Sequence, residues 1–256
     1  MHRYFASLAY DGTSYFGWQI QPNDISIQHH INHVFTTVFR TTIETTGCGR
    51  TDKGVHATQF YAHFDLETEV DNIEKALFQI NSLLPRDIRV YDLIPVSSDA
   101  HARFDGIQRS YSYYIKRKPS PFNNNYFWFN RQKVNLDAMN EAAALCLPQL
   151  DFSCFAKKGG NQLTKNCIVS ECKWIEKNDD LQFTVSANRF LRGMVRAMVG
   201  TLYEVGTGKI SLDEFKAILV SKDRTEAGKT VPAQGLFLEE VKYNYLQVDR
   251  QYFFQR

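Results

Sequence analysis

The first half of the chain predicts strands and helices in alternation. Residues 3–10, 56–66 and 88–96 are short segments rich in strand-forming residues, and turn-forming residues bound them. Between these segments, apolar residues recur three and four positions apart over residues 27–39 and 73–84, as they do on one face of a helix. The pattern therefore indicates helices that pack on strands.

The second half is a variation on the same organisation. Strands are predicted over residues 109–117, 168–176, 181–187 and 235–243, and helices over 136–147, over 189–205 and after the capping box of Ser211 and Glu214. We therefore expect an α+β fold of two α/β-sandwich-like halves, residues 1–104 and 105–256, with mixed or antiparallel sheets.

Composition and charge change this picture little. Hydrophobic residues make up 43% and charged residues 23% of the chain, and the net charge of +2 does not by itself indicate a nucleic-acid-binding protein. The N-terminus has no signal-peptide pattern, and no run of about 18 apolar residues predicts a membrane span. The five cysteines form no CxxC pair, which indicates a reducing cytoplasm and not a disulfide framework.

The most unusual segment is TTGCGRTDKGVHATQF, residues 45–60, which places three glycines, an arginine and an aspartate before a predicted strand. Gly49 and Gly54 have the spacing of a phosphate-binding loop, but Val55 and His56 replace the Lys and Ser/Thr that such a loop needs. From the residues alone, Asp-Lys-Gly is a tight turn with Gly54 at positive φ.

The segment GRTDKGVHA resembles the signature of the tRNA pseudouridine synthase A family, in which the aspartate is the essential catalytic residue. Six further segments resemble blocks of that family in the same order: YDGTSYFGWQIQP, LLPRDIRV, HARFDGIQRSYSYYI, DFSCF, NRFLRGMVRAMVG and VPAQGLFLEEV. The resemblance implies a pseudouridine synthase fold with an active-site cleft between the two halves. It also implies a cytoplasmic homodimer that binds the tRNA anticodon stem-loop and converts uridine to pseudouridine at tRNA positions 38 to 40.

This isomerisation needs one ionised carboxylate and no cofactor. The C1′–N1 bond breaks, the uracil turns and C5 joins C1′, a redox-neutral exchange that needs no activated water, whereas a glycosidase uses two carboxylates. The resemblance assigns the carboxylate to Asp52, as nucleophile at C1′ or as base at C2′, and both routes stay open. It further implies that Tyr111 stacks on the uracil and helps to remove the C5 proton, and that Arg196 keeps Asp52 ionised.

Further residues are predicted to contact the RNA. Arg189, Arg192 and Arg196 fall within about 60° of each other on a helical wheel, which alone is typical of a solvated basic face. With the resemblance, the same stripe indicates phosphate contacts. The predicted contacts with RNA or uracil are Arg50, Lys53, Arg103, Phe104, Arg189, Arg192 and Leu236. Lys53 stands where many family members carry a small residue.

Two alternatives keep the scaffold and change the activity. One is a non-catalytic RNA-binding module, and the other is a pseudouridine synthase that acts on a different RNA. A zinc deaminase is disfavoured because its HxE and PCxxC ligands are absent. His29 and His33 have zinc-protease spacing, but His30 stands where that motif needs Glu, so we predict no metal site.

Overall fold

The computed structural model describes residues 1–157, 159 and 164–246. In chain order, its strands and helices are β1 (His2–Tyr10), α1 (Ile27–Phe39), β2 (Thr46–Gly47), β3 (His56–Leu66), α2 (Ile73–Leu83), β4 (Ile88–Val96), β5 (Gln108–Lys116), β6 (Trp128–Phe129), α3 (Leu136–Ala144), β7 (Val169–Lys177), β8 (Asp180–Ala187), α4 (Met194–Gly206), α5 (Leu212–Ser221) and β9 (Leu236–Lys242). The chain forms two compact units. The first holds residues 1–107 and the described residues from Leu238 onwards, and the second holds residues 108–237.

The first unit is a sheet covered by two helices. Its strand order is β4-β1-β3-β9, with β1 antiparallel to both β4 and β3, and the short β2 also pairs with β3. Helix α1 packs on β3 because Phe35 and Phe39 place their rings 4.9 and 5.6 Å from that of Phe64. Aromatic packing of this kind joins the helix to the strand that follows the GRTDKG segment.

In the second unit, β8 pairs antiparallel with both β5 and β7, which gives the order β5-β8-β7, and the two-residue β6 is parallel to β5. Asn140 on α3 fastens that helix to β7, since its side chain donates to Trp174 O at 3.1 Å and accepts from Trp174 N at 2.8 Å. The capping box of Ser211 and Glu214 starts α5 as predicted. The predicted α+β class is confirmed.

The last strand belongs mainly to the first unit, whereas the sequence division after residue 104 gave it to the second half. Val241 N donates to Gln59 Oε1 at 2.8 Å, and Ile107 N donates to Lys242 O at 2.8 Å. The chain therefore leaves the first unit after Ile107 and returns to it at Leu238. Pairing between strands so distant in the chain leaves no local pattern, so the sequence alone could not show this return.

The helix predicted over residues 189–205 begins five residues later than expected, at Met194. Gly193, the residue before it, has φ 71° and ψ 1°, a left-handed conformation that interrupts the helical path. The prediction that Arg189 and Arg192 share a helix face with Arg196 was therefore wrong. Along the part of the chain that the structure describes, no helix is long and apolar enough to cross a membrane.

Candidate active site

Asp52 lies on the loop of residues 48–55 that joins β2 to β3, here called the Asp52 loop. A second loop, residues 11–18 after β1, runs against it and is here called the glycine loop. Trp18 N donates to Thr51 O at 3.3 Å, and Gly54 N donates to Tyr15 O at 3.3 Å. The backbone of the glycine loop therefore holds the Asp52 loop on both sides of the carboxylate.

Two glycines allow this close approach. A Cβ added to Gly12 would lie 2.0 Å from Val55 O, and one added to Gly17 would lie 2.2 Å from Thr51 O. Gly17 also has φ 88°, which side-chain-bearing residues rarely adopt. The glycines of YDGTSYFGW thus serve the position of the aspartate, a role that the sequence alone did not reveal.

Asp52 itself opens a tight turn. Val55 N donates to Asp52 O at 3.1 Å, and Gly54 at the third position of the turn has φ 77°, as a type II turn requires. The predicted turn with Gly54 at positive φ is confirmed. Asp52 is half-buried, whereas Arg50 and Lys53 on either side of it are exposed.

Buried aromatic residues support the Asp52 loop from below. The ring of Trp18 stacks on that of Phe60 at 4.2 Å, and the hydroxyls of Tyr10 and Thr51 share a hydrogen bond of 2.9 Å. Trp18, Phe60 and Tyr10 are each at most 4% exposed. The carboxylate is therefore presented by a loop whose base is part of the core.

Lys53 turns its ammonium group onto a neighbouring aromatic ring. Its Nζ lies 3.7 Å from the centre of the Phe16 ring, and both side chains reach the surface. This contact is a cation–π interaction that orients the charge beside Asp52. A small side chain at position 53 could not make this contact.

Arg103 and Phe104 lie in a turn of the first unit, after β4. Both are exposed, and the Phe104 side chain reaches 75% exposure. The guanidinium carbon of Arg103 is 5.8 Å from the centre of the Phe104 ring. A cation beside an exposed aromatic ring is an arrangement that suits RNA bases and phosphates.

His63 lies beneath this turn and is held neutral. Burial, and secondly the charges of Arg3 and His101, lower the pKa of His63 to about 4 from its ordinary value of 6.5. Its Nδ1 accepts a hydrogen bond from Ala102 N at 3.1 Å, which the neutral ring allows. Protonation of this nitrogen would remove the acceptor from a buried amide.

We expect His63 to lower the free energy of unfolding in mild acid. The unfolded chain binds a proton near pH 6.5 and the folded chain only near pH 4, so stability is fully present above pH 6.5 and falls as the pH drops towards 4. Between pH 7.5 and 5 the loss attributable to His63 is about 2 kcal/mol. Urea unfolding at pH 7.5 and at pH 5 gives the free energy of unfolding of the native protein and of His63→Asn, with the exposed His33→Asn as the control. If the native protein and His63→Asn lose the same free energy of unfolding between these pH values, the expectation is contradicted.

Tyr111 lies on β5 of the second unit, half-buried, with its ring edge-on to that of Phe190 at 5.1 Å and 89°. A second tyrosine of the same strand face, Tyr113, lies two residues further along β5. Tyr113 is fully buried, and its hydroxyl donates to Pro232 O at 2.8 Å. Burial raises the pKa of Tyr113, and the charge of Arg196 opposes that shift. Tyr113 is therefore a structural residue.

Arg196 stands in the first turn of α4 and is bonded twice to one residue. Its Nε donates to Val231 O at 2.8 Å, and Val231 N donates to Arg196 O at 3.4 Å. The segment around Val231 crosses α4 where Gly200 leaves room, since a Cβ there would lie 1.8 Å from Lys229 O. The guanidinium is thus oriented by a segment 35 residues away, which no sequence spacing could indicate.

Three further predicted residues of the second unit, Arg189, Arg192 and Leu236, lie outside α4. Arg189 is half-buried and Arg192 exposed in the segment before α4, and Arg192 O accepts from Lys157 N at 2.9 Å. Helix α4 is buried along almost its whole length, so the solvated basic face is absent. Leu236 begins β9 and is 5% exposed.

His30 on α1 packs against a neighbouring aromatic ring, and the five cysteines pack in the interior of the protein. The ring of His30 lies edge-on to Tyr15 at 5.6 Å, and burial together with His29 lowers the pKa of His30. Among the residues that the structure describes, no three His, Cys, Asp or Glu side chains are grouped to hold a metal ion. All five cysteines are buried outside any disulfide, and burial raises the pKa of Cys154 to about 12 and that of Cys167 to about 11.

Comparison with known proteins identifies the family of this chain. The family model described as tRNA pseudouridine synthase matches residues 142–244. A tRNA pseudouridine synthase A of Bacteroides fragilis is 45% identical over 244 residues, which cover 95% of this chain and 97% of the relative. Enzymes of the same name from Porphyromonas gingivalis and Parabacteroides distasonis are 44% and 42% identical, and each alignment covers 95% of this chain and 98% and 96% of the relatives. The chain therefore belongs to the tRNA pseudouridine synthase A family.

Proposed function

We propose that the protein converts uridine to pseudouridine in the anticodon stem-loop of tRNA, at positions 38 to 40. The observation that carries the proposal is the Asp52 loop of this chain, which belongs to the family. In that loop the half-buried Asp52 is fixed by backbone hydrogen bonds from the glycine loop, and exposed Arg50 and Lys53 flank it. A rigid carboxylate beside two cations suits a reaction on an RNA nucleotide.

The proposed catalytic residues are Asp52, Tyr111 and Arg196. Asp52 acts on the ribose, either by attack at C1′ or by removal of a proton at C2′, and the C1′–N1 bond breaks. The freed uracil turns and C5 bonds to C1′. In the first route the bond between Asp52 and C1′ breaks as this bond forms, and in the second route C2′ takes its proton back from Asp52. The C5 proton then leaves, and N1 takes up a proton. The balance contains no oxidant or reductant, so no cofactor is required.

Tyr111 and Arg196 are proposed on the family resemblance and on their local order. Tyr111 presents a half-buried ring braced by Phe190, which suits stacking on a uracil. Arg196 is held by Val231, which limits the rotamers its guanidinium can adopt and suits a fixed positive charge that keeps Asp52 ionised.

The proposed RNA contacts come from both units. Exposed Arg50, Lys53 and Arg192, and half-buried Arg189, would bind phosphates, and Arg103 with Phe104 would meet a base and its phosphate. Leu236 would pack beside the uracil. We also propose that the protein is cytoplasmic and that it forms a homodimer. Light scattering of the purified protein gives its molar mass and so tests the dimer.

The direct test is a tritium-release assay on tRNA labelled at uridine C5. Isomerisation replaces the C5 hydrogen by the bond to C1′, so tritium enters the water as pseudouridine appears in a nuclease digest. Release together with pseudouridine supports the proposal. Binding of tRNA without release would instead favour the RNA-binding module, and release only from other RNAs would favour a different substrate.

A further inference from the structure

The turn of residues 101–105, here called the His101 turn, is fastened along its backbone. His101 N donates to Asp105 Oδ2 at 2.7 Å, and Asp105 N donates to His101 O at 3.1 Å. Ala102 is held from both sides, since its N–H donates to His63 Nδ1 at 3.1 Å and its carbonyl accepts from Tyr243 Oη at 2.6 Å. The turn is therefore more ordered than its surface position requires.

The His101 ring organises the outer part of this turn. Its Nδ1 accepts from Arg103 N at 3.1 Å and from Phe104 N at 3.3 Å. One side of the ring meets His63 at 4.7 Å, and the Phe104 ring lies 4.3 Å away at 34°. The same imidazole thus fixes both the backbone and the ring plane of Phe104.

The ring that this arrangement holds faces solvent. Phe104 is 75% exposed although its backbone is bonded to His101. An ordered apolar ring in water contributes little to folding, whereas a pre-ordered ring binds a base without a further loss of conformational freedom. Arg103 adds a cation 5.8 Å from the ring centre.

We propose that His101 is a positioning residue that holds Phe104 as a stacking surface for an RNA base. The proposal rests on the proposed function, because it assumes that this surface meets tRNA. It adds that His101 contributes to RNA affinity entirely through Phe104. Stacking of one base on an aromatic side chain changes affinity by roughly tenfold.

A double-mutant cycle on tRNA binding tests this coupling. His101→Phe keeps a ring but lacks the acceptor for the two backbone amides, whereas His101→Asn retains an acceptor near the position of Nδ1. Phe104→Leu removes the stacking ring, and Phe104→Trp enlarges it. Filter binding gives Kd for each variant and for the variant that combines His101→Phe with Phe104→Leu, and thermal unfolding checks each fold.

We expect His101→Phe and Phe104→Leu each to raise Kd about tenfold, and the double variant to raise it no further. His101→Asn and Phe104→Trp should bind within about threefold of the native protein. Native affinity in Phe104→Leu, or a hundredfold loss in the double variant, would overturn the proposal. If His101→Phe does not fold, His101→Met, which also lacks the acceptor, takes its place in the cycle.

Failure of the proposed function has a different signature. In that case the native protein releases no tritium from C5-labelled tRNA, whatever the Kd values of the His101 and Phe104 variants. Native release with uncoupled variants would leave the isomerase proposal in place and remove the role of His101.

Discussion

Replacing Asp52 with Asn is expected to abolish pseudouridine formation while leaving tRNA binding intact. The amide cannot act as nucleophile or as base, so both routes are closed, and we expect single-turnover rates to fall by about 10³-fold or more. The turn should survive because Val55 N donates to the backbone oxygen of residue 52, which the substitution retains. Tritium release from C5-labelled tRNA measures the rate.

The control for this variant is its affinity for tRNA. We expect Kd within about threefold of the native value, since Arg50 and Lys53 remain and the shape of residue 52 is unchanged. A variant that binds tRNA normally and still isomerises uridine near the native rate would remove Asp52 from the centre of the mechanism.

Replacing Gly17 with Ala is expected to have the second largest effect, although this residue lies outside the Asp52 loop. The new Cβ would lie 2.2 Å from Thr51 O, and φ of 88° is strained for any L-residue. The backbone strain alone costs about 1–2 kcal/mol, which lowers Tm by roughly 3–6 °C. A displacement of the carboxylate by about 1 Å is expected to lower kcat about 10²-fold.

Gly49→Ala is the matched control for the fold, because Gly49 lies in the Asp52 loop and an added Cβ would have no atom within 4 Å. Its Tm should match that of the native protein. Differential scanning calorimetry and steady-state kinetics measure both variants. A Gly17→Ala protein with native Tm and native kcat would show that the glycine loop does not position Asp52.

Long elements with a clear period could be predicted from the sequence. The apolar stripe over residues 27–39 coincides with α1, and the strand predicted over residues 56–66 coincides with β3. In both cases side-chain packing on one neighbouring element determines the pattern. Such elements carry their own signal, because the period reflects the geometry of the backbone.

The start of α4 could not be predicted in this way. The apolar spacing continues through residues 189–193, but Gly193 adopts φ 71° and the helix begins only at Met194. A helical wheel assumes a continuous helix, and so it placed Arg189 and Arg192 on a face that does not exist. Of the three arginines in that stripe, only Arg196 lies on the helix.

The sequence named candidate residues for the site, but it did not reveal what supports them. The motif around Asp52 could be read from the chain by resemblance, and the turn at Gly54 followed from turn chemistry. The contact of Gly17 with Thr51 O and the bond from Arg196 to Val231 O join segments far apart in the chain. Contacts of this kind depend on tertiary packing, which leaves no spacing to detect.

The measurement that tests the central claim most directly compares two tRNA transcripts labelled with tritium at uridine C5. One carries uridine at positions 38 to 40, and the other carries cytidine at those positions and is otherwise identical. We predict that the native protein releases tritium from the first transcript alone, in proportion to the pseudouridine formed. Equal release from both transcripts, or release from neither while the tRNA is bound, would contradict the proposed function.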